Sequence, residues 1–151
     1  MSLDNWLHFL HIVSAIVWVG GGFVMSVFGS RARASRDPNA IADFSESLTY
    51  VGTRVMLPAV VGTLIFGLWM VFENADWNFR QFWVLLAIGL FILAFLIGAI
   101  YLGRIGMQLQ RLASTEPANA KLVLGRWIMG YGVVLLVLLI AVWDMVFKPG
   151  L

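Results

Sequence analysis

An all-α fold of four membrane-spanning helices is what this sequence predicts, and three observations carry the expectation. Of the 151 residues, 61% are hydrophobic and only 12% charged, against roughly 25% charged in a soluble domain. A chain so apolar has too little polar surface to cover a globule in water, so part of its solvent must be lipid. Four segments, 6–28, 55–72, 82–103 and 127–147, meet the requirement of about 20 mostly apolar residues for a bilayer-spanning helix. The basic residues are also divided unevenly between the ends of those segments.

The first span carries both histidines of the protein, His8 and His11, then Trp18 and the triplet Gly20, Gly21 and Gly22. Asp4 stands where the basic region of a signal peptide would be, so the segment reads as a span. Residues 29–54 are polar. Asp37 suits an N-cap and Pro38 the first helical position, after which Ile41, Phe44, Leu48 and Val51 share one helical face. This is a short amphipathic helix in the first loop, at the membrane surface or resting on its own neighbours, that leads into span two.

Pro58 should bend span two near one end, and Ala59, Thr63 and Gly67 form a small-residue ridge for close packing. The short link 73–80 predicts that spans two and three are antiparallel neighbours. Span three has no breaker through Leu112 and continues until Glu116-Pro117, span four begins near Arg126, and Lys148-Pro149-Gly150 ends it. Arg31, Arg33, Arg36, Arg54, Arg104, Arg111, Lys121 and Arg126 flank the first and third loops, while only Arg80 and Lys148 lie at the other end. The first and third loops are therefore expected in the cytoplasm and both termini outside, in a bacterial inner membrane. Trp6, Trp69, Trp77, Trp83 and Trp143 fall near the outer interface.

Function classes narrow quickly. Without cysteine there is no disulfide, thiolate nucleophile or iron–sulfur cluster. A net charge of +2 gives no footprint for nucleic acid, and neither a phosphate-cradling loop nor a hydrolase set is present. The polar side chains with chemical capacity, namely His8, His11, Met70, Glu73, Arg80, Asp144, Met145 and Lys148, all fall toward the outer end of the spans, so any site opens outward.

His8 and His11 are three apart and share a face that Trp18 and Gly22 continue. An ionisable group inside a membrane is a functional hypothesis by default; the alternative is a His11 bonded to a neighbouring helix and a His8 among the headgroups. Neutral imidazole ligates metals and haem iron. Two histidines on one face cannot hold both sides of one haem. A six-coordinate haem would take its second ligand from Met70, Met145, Lys148 or another subunit, and a five-coordinate one would need none. Copper is the alternative cofactor, through His8, His11, Met70 and Met145, since imidazole and thioether suit Cu(I). Asp144 and Lys148, spaced i, i+4, read as an ion pair closing span four. Arg80 would snorkel or bind an anionic group, with Glu73 and Asp76 as partners. Ala94 and Gly98 offer a close-packing surface for a second copy or a larger membrane complex.

The arrangement His11, Trp18, Val19, Gly20 in the first of four spans resembles the membrane domain of CopD-type copper proteins and HemJ-type protoporphyrinogen oxidases. MLPAVVGTLIFGLWMV, residues 56–71, is similar to the proline-containing second helix of the HemJ group. Trp77, Phe82 and Trp83 resemble the start of its third helix, Arg126 the arginine before its fourth, and VFKPG, residues 146–150, its terminal Lys-Pro. The overall likeness is to an uncharacterised family of small predicted integral membrane proteins in the same group. The resemblance implies haem b binding, with His11 at the ligand position. Two departures stand out: Arg80 and Gln81 replace a lysine opening the third helix, and Trp127, Ile128, Met129 and Gly130 follow Arg126 where that group has Asn-Glu-x-Pro. Those groups serve proton handling in the oxidase, so the expectation is a haem-binding, redox-related protein rather than a porphyrinogen oxidase. The alternatives are copper handling and a non-catalytic accessory subunit.

Overall fold

A computed structural model describes residues 2–37 and 39–150. Among the described residues it is all helical, with four helical rods long and apolar enough to cross a membrane. Their outward faces, including Phe9, Ile12, Ile16 and Phe23 on the first and Leu136 and Leu139 on the last, are exposed. Apolar faces this extensive are untenable in water and suited to hydrocarbon.

Helix α1 (Leu3–Ala34) runs 32 residues, about 48 Å at 1.5 Å per residue. Ser2 caps it by accepting from the Asn5 N–H at 3.4 Å, and Arg31 and Arg33 in its last turn complement the negative end of its dipole. Ser26 and Ser30 return their hydroxyls to the carbonyls of Gly22 and Ser26, which satisfies them without water.

The amphipathic helix is α2 (Ala40–Val51). The cap expected at Asp37 is displaced: the helix begins at Ala40, with Asn39 at the N-cap position and no side-chain cap. The Asp37 carboxylate instead closes a turn just before it, accepting from the Asn39 N–H at 2.9 Å. Pro38 lies outside the described residues. Ile41 and Phe44 are buried, and Phe44 meets the Trp127 ring edge-on at 5.8 Å. The helix therefore folds over the arginine-rich end onto its own neighbours.

No break separates α2 from span two. A wide π-helical turn, Gly52–Met56, carries it into α3 (Leu57–Glu73). Pro58 supplies the reason. It lacks an N–H, its ring collides with the carbonyl four residues back, and the chain absorbs this by bonding the Leu57 N–H to Gly52, five residues back. Span three is built likewise from α4 (Phe82–Phe95), a π-helical stretch Leu96–Leu102, and α5 (Gly103–Leu112), so its continuation to Leu112 holds. Span four is α6 (Pro117–Phe147). It starts well before Arg126, because Pro117 suits a first turn and nothing from Ala118 to Gly125 stops a helix. This early part packs Ala120, Val123 and Leu124 in the same buried cluster as Ile105 and Leu109 of α5.

The order of packing departs from expectation. Helix α1 lies against α3 and α6, and α6 against α4, but α3 and α4 do not form a packed pair. The linker 74–81, at roughly 3.3 Å per extended residue, reaches well beyond the 8–10 Å between packed helix axes, so it permits separation. The small-residue ridge of α3 is used on α1 instead. Any side chain at Gly62 would strike Ser14, and one at Gly67 would strike His11. The bundle is thus closed on three sides and open along the fourth.

Candidate functional site

The ridge that lets α3 approach α1 also fixes His11. Its ring is buried at 6% exposure and lies against bare Gly67, where an added Cβ would stand 2.9 Å from Cε1. Nδ1 is 2.9 Å from the Thr63 carbonyl oxygen. A carbonyl only accepts, so Nδ1 carries the proton. Nε2, left with the lone pair, points at the Met145 sulfur 3.4 Å away on α6. One side chain therefore joins three spans. The Thr63 hydroxyl does not compete, because it donates to Ala59 at 2.8 Å.

His8 takes a different direction. Its Nδ1 lies 3.0 Å from the Asp4 carbonyl oxygen and 3.3 Å from the Asp4 carboxylate, and its ring meets Trp77 edge-on at 5.6 Å. The two histidines thus share a helix face without converging on one point. Trp77, from the linker, also meets Trp83 at 5.2 Å. Lys148 lays its Nζ 4.1 Å from the Trp77 ring centre and 5.3 Å from that of Trp83. Lys148 ends α6 with φ of 43°, a left-handed conformation costing a non-glycine residue about 1–2 kcal/mol, which the cation–π contact helps to offset.

That placement overturns the ion pair expected between Asp144 and Lys148. Asp144 is fully buried, and neither carboxyl oxygen has a hydrogen-bond partner among the described residues. The indole N–H of Trp83 is likewise buried and unpartnered. The i, i+4 spacing puts the two backbones in register, but the long lysine stem turns to the aromatic pair.

Arg80 is exposed in the linker. Its backbone N–H donates to Asn78 Oδ1 at 2.9 Å, and neither Glu73 nor Asp76 forms an ion pair with it. Met70 is buried on the face of α3 that carries Thr63 and Gly67, the face turned to α1. Trp18 is not brought to the histidines. It lies two turns toward the arginine-rich end, edge-on to Phe91 at 5.5 Å. Near it the Tyr131 ring occupies the space any side chain at Gly22 would need.

The structure therefore assembles His11 with Met145, and places Met70 on the adjoining α3 face. It sends His8 and Lys148 to a tryptophan pair, and leaves Arg80 and Trp18 elsewhere. Sequence reasoning missed the isolation of Asp144 and the reach of Trp77; an aromatic residue in a short linker was the only signal for the second. Among the described residues no group of three or more histidine, aspartate or glutamate side chains is placed to hold a metal.

Fold and site together define a small four-span integral membrane protein with one buried histidine tied across three helices. A family model described as a predicted integral membrane protein, DUF2269, matches residues 5–149; the chain belongs to that family. No curated protein and no solved structure matches it.

Proposed function

We propose that this protein handles copper(I) at the outer side of a bacterial inner membrane, with His11 Nε2 and Met145 Sδ as two ligands and Met70 as a third. One contact carries the reading. With the proton on Nδ1, Nε2 and the Met145 sulfur face each other at 3.4 Å as two donors of lone pairs with no proton between them. A soft cation against both turns that indifferent contact into two bonds, and imidazole with thioether is a ligand set that favours Cu(I). The Thr63 carbonyl on Nδ1 is the kind of outer support that metal-bound histidines carry. The positive-inside rule puts the arginine-rich end in the cytoplasm and this site near the outer leaflet.

Haem b through His11 is the second reading, resting on the same oriented imidazole. Axial ligands stand on opposite faces of a porphyrin, whereas here nitrogen and sulfur are in contact and Gly67 closes on the ring. A porphyrin does not fit between His11 and Met145 as they stand.

Both readings meet in one preparation. Detergent-purified protein, titrated anaerobically with Cu(I) against a competing chelator, should take one equivalent. Met145→Leu and His11→Ala should each weaken uptake by at least roughly tenfold, in line with losses seen for disturbed metal sites. A wild-type chain that takes no copper from the chelator overturns the proposal. A Soret band from haem-replete cells, lost in His11→Ala, would put haem in its place.

A further inference from the structure

A pair of ligand atoms buried as deeply as His11 Nε2 and the Met145 sulfur needs an entry path, and the outer end of the bundle holds one element free to move. The linker 74–81 bonds only to itself and to the helix ends it joins. Asn74 Oδ1 accepts from the Asp76 N–H at 3.0 Å, Asn78 Oδ1 from the Arg80 N–H at 2.9 Å, and the Gln81 amide donates to the Asp76 carbonyl at 3.0 Å. Among the described residues no hydrogen bond ties it to α1 or α6. It is a self-bonded cap, hinged where α3 ends and α4 begins.

Trp77 is what fastens that cap across the bundle. His8 stands one turn outward of His11 on α1, and Lys148 one turn outward of Met145 on α6. The Trp77 indole touches both, edge-on to the His8 ring at 5.6 Å and 4.1 Å from the Lys148 ammonium. One turn further in, His11 and Met145 meet each other. The indole therefore sits across the α1–α6 seam on the outer side of the imidazole–thioether pair. Phe79, the other ring of the linker, packs on Phe72 of α3 at 4.9 Å instead.

Lys148 also has a second seat. Asp144, one turn back on the same helix, is buried with both carboxyl oxygens unpartnered, and acid before base at i, i+4 is the favourable order for an ion pair. With the ammonium on the indole the carboxyl is left alone; with the ammonium on the carboxyl the indole is released. One side chain with two exclusive partners is a two-state element.

We infer that Trp77 is a lid over the outer route to His11 and Met145, latched by His8 and Lys148 and released when Lys148 turns to Asp144. The lid serves the copper site proposed for those two residues, yet the experiment below uses no metal, so copper binding and the lid can fail separately.

Diethyl pyrocarbonate acylates imidazole nitrogens that carry a free lone pair, and mass spectrometry of the full chain in detergent reads His8 and His11 separately. Wild-type protein should react at His8 and be protected at His11. Trp77→Ala should speed His11 modification by at least roughly tenfold, the effect of deleting an aromatic pair and a cation–π contact from the closed state. Lys148→Met, which keeps the indole and removes only the charge on the latch, should speed it by roughly fivefold. Asp144→Asn, which removes the second seat, should slow it. Phe79→Ala, on the same linker, should stay within about twofold of wild type. Helical circular dichroism should be unchanged throughout. A wild-type His11 as reactive as His8 overturns the inference, since the route would stand open. So does an unchanged His11 rate in Trp77→Ala and Lys148→Met, or a faster one in Asp144→Asn. An equal gain in Phe79→Ala overturns it too, because order in the whole linker would then be the cause.

Discussion

The two halves of this bundle solve opposite problems. At the histidine end, polar groups crowd a tight junction: His11 bridges α1, α3 and α6, Asp144 is sealed in without a partner, and Lys148 lies on two tryptophans. At the arginine end, the interior is mostly apolar, yet two spans stand apart around a cleft. Tightness follows the bare glycines that face a neighbour, and openness follows those that face nothing. The same residue type therefore serves opposite purposes, and only its surroundings reveal which.

A matched pair of substitutions separates the halves most sharply. Gly67→Val drives a side chain into the His11 ring and should cost about 3 kcal/mol from overpacking together with the lost Nδ1–carbonyl bond. Gly98→Val meets open space and should stay within about 0.5 kcal/mol. Thermal unfolding in detergent reads both, and equal losses would erase the distinction.

Asp144 gives the next effect. A buried carboxylate with two unsatisfied oxygens is costly, and mutational data price such a group at about 1–3 kcal/mol. Asp144→Leu should therefore raise stability by roughly 2 kcal/mol in the same measurement. A fall would mean that this carboxylate has a stabilising role its surroundings do not reveal. The smallest effect belongs to Lys148→Met, which keeps the stem but removes the charge over Trp77 and Trp83. A loss of about 1 kcal/mol is expected, and none at all would assign that contact to stem packing alone.

The four spans were legible because length and apolarity are properties of a segment by itself. The packing order was not. A short linker sets an upper limit on separation, and the ridge of Ala59, Thr63 and Gly67 advertises a close partner without naming α1. The π-helical turn before Pro58 has a visible cause, whereas the one at Leu96–Leu102 has no proline within it to announce it. His11 stood out as an ionisable group inside a span. Its partners did not, since the Thr63 carbonyl is backbone present at every residue and Met145 reads as ordinary packing. The spacing of Asp144 and Lys148 misled because it fixes where two stems start and leaves a flexible stem free to choose its end.

The separation of α3 from α4 also bears on how the molecule is put together. The chain is in effect two helical hairpins, α1 with α3 and α4 with α6, docked through the seam between α1 and α6 and, at the arginine-rich end, through α2 against α5 and α6. Each hairpin can enter the bilayer as a unit and meet the other afterwards. Because α3 and α4 are not packed on each other, the lateral gap between them can widen or narrow while the imidazole junction on the far side keeps its bonds.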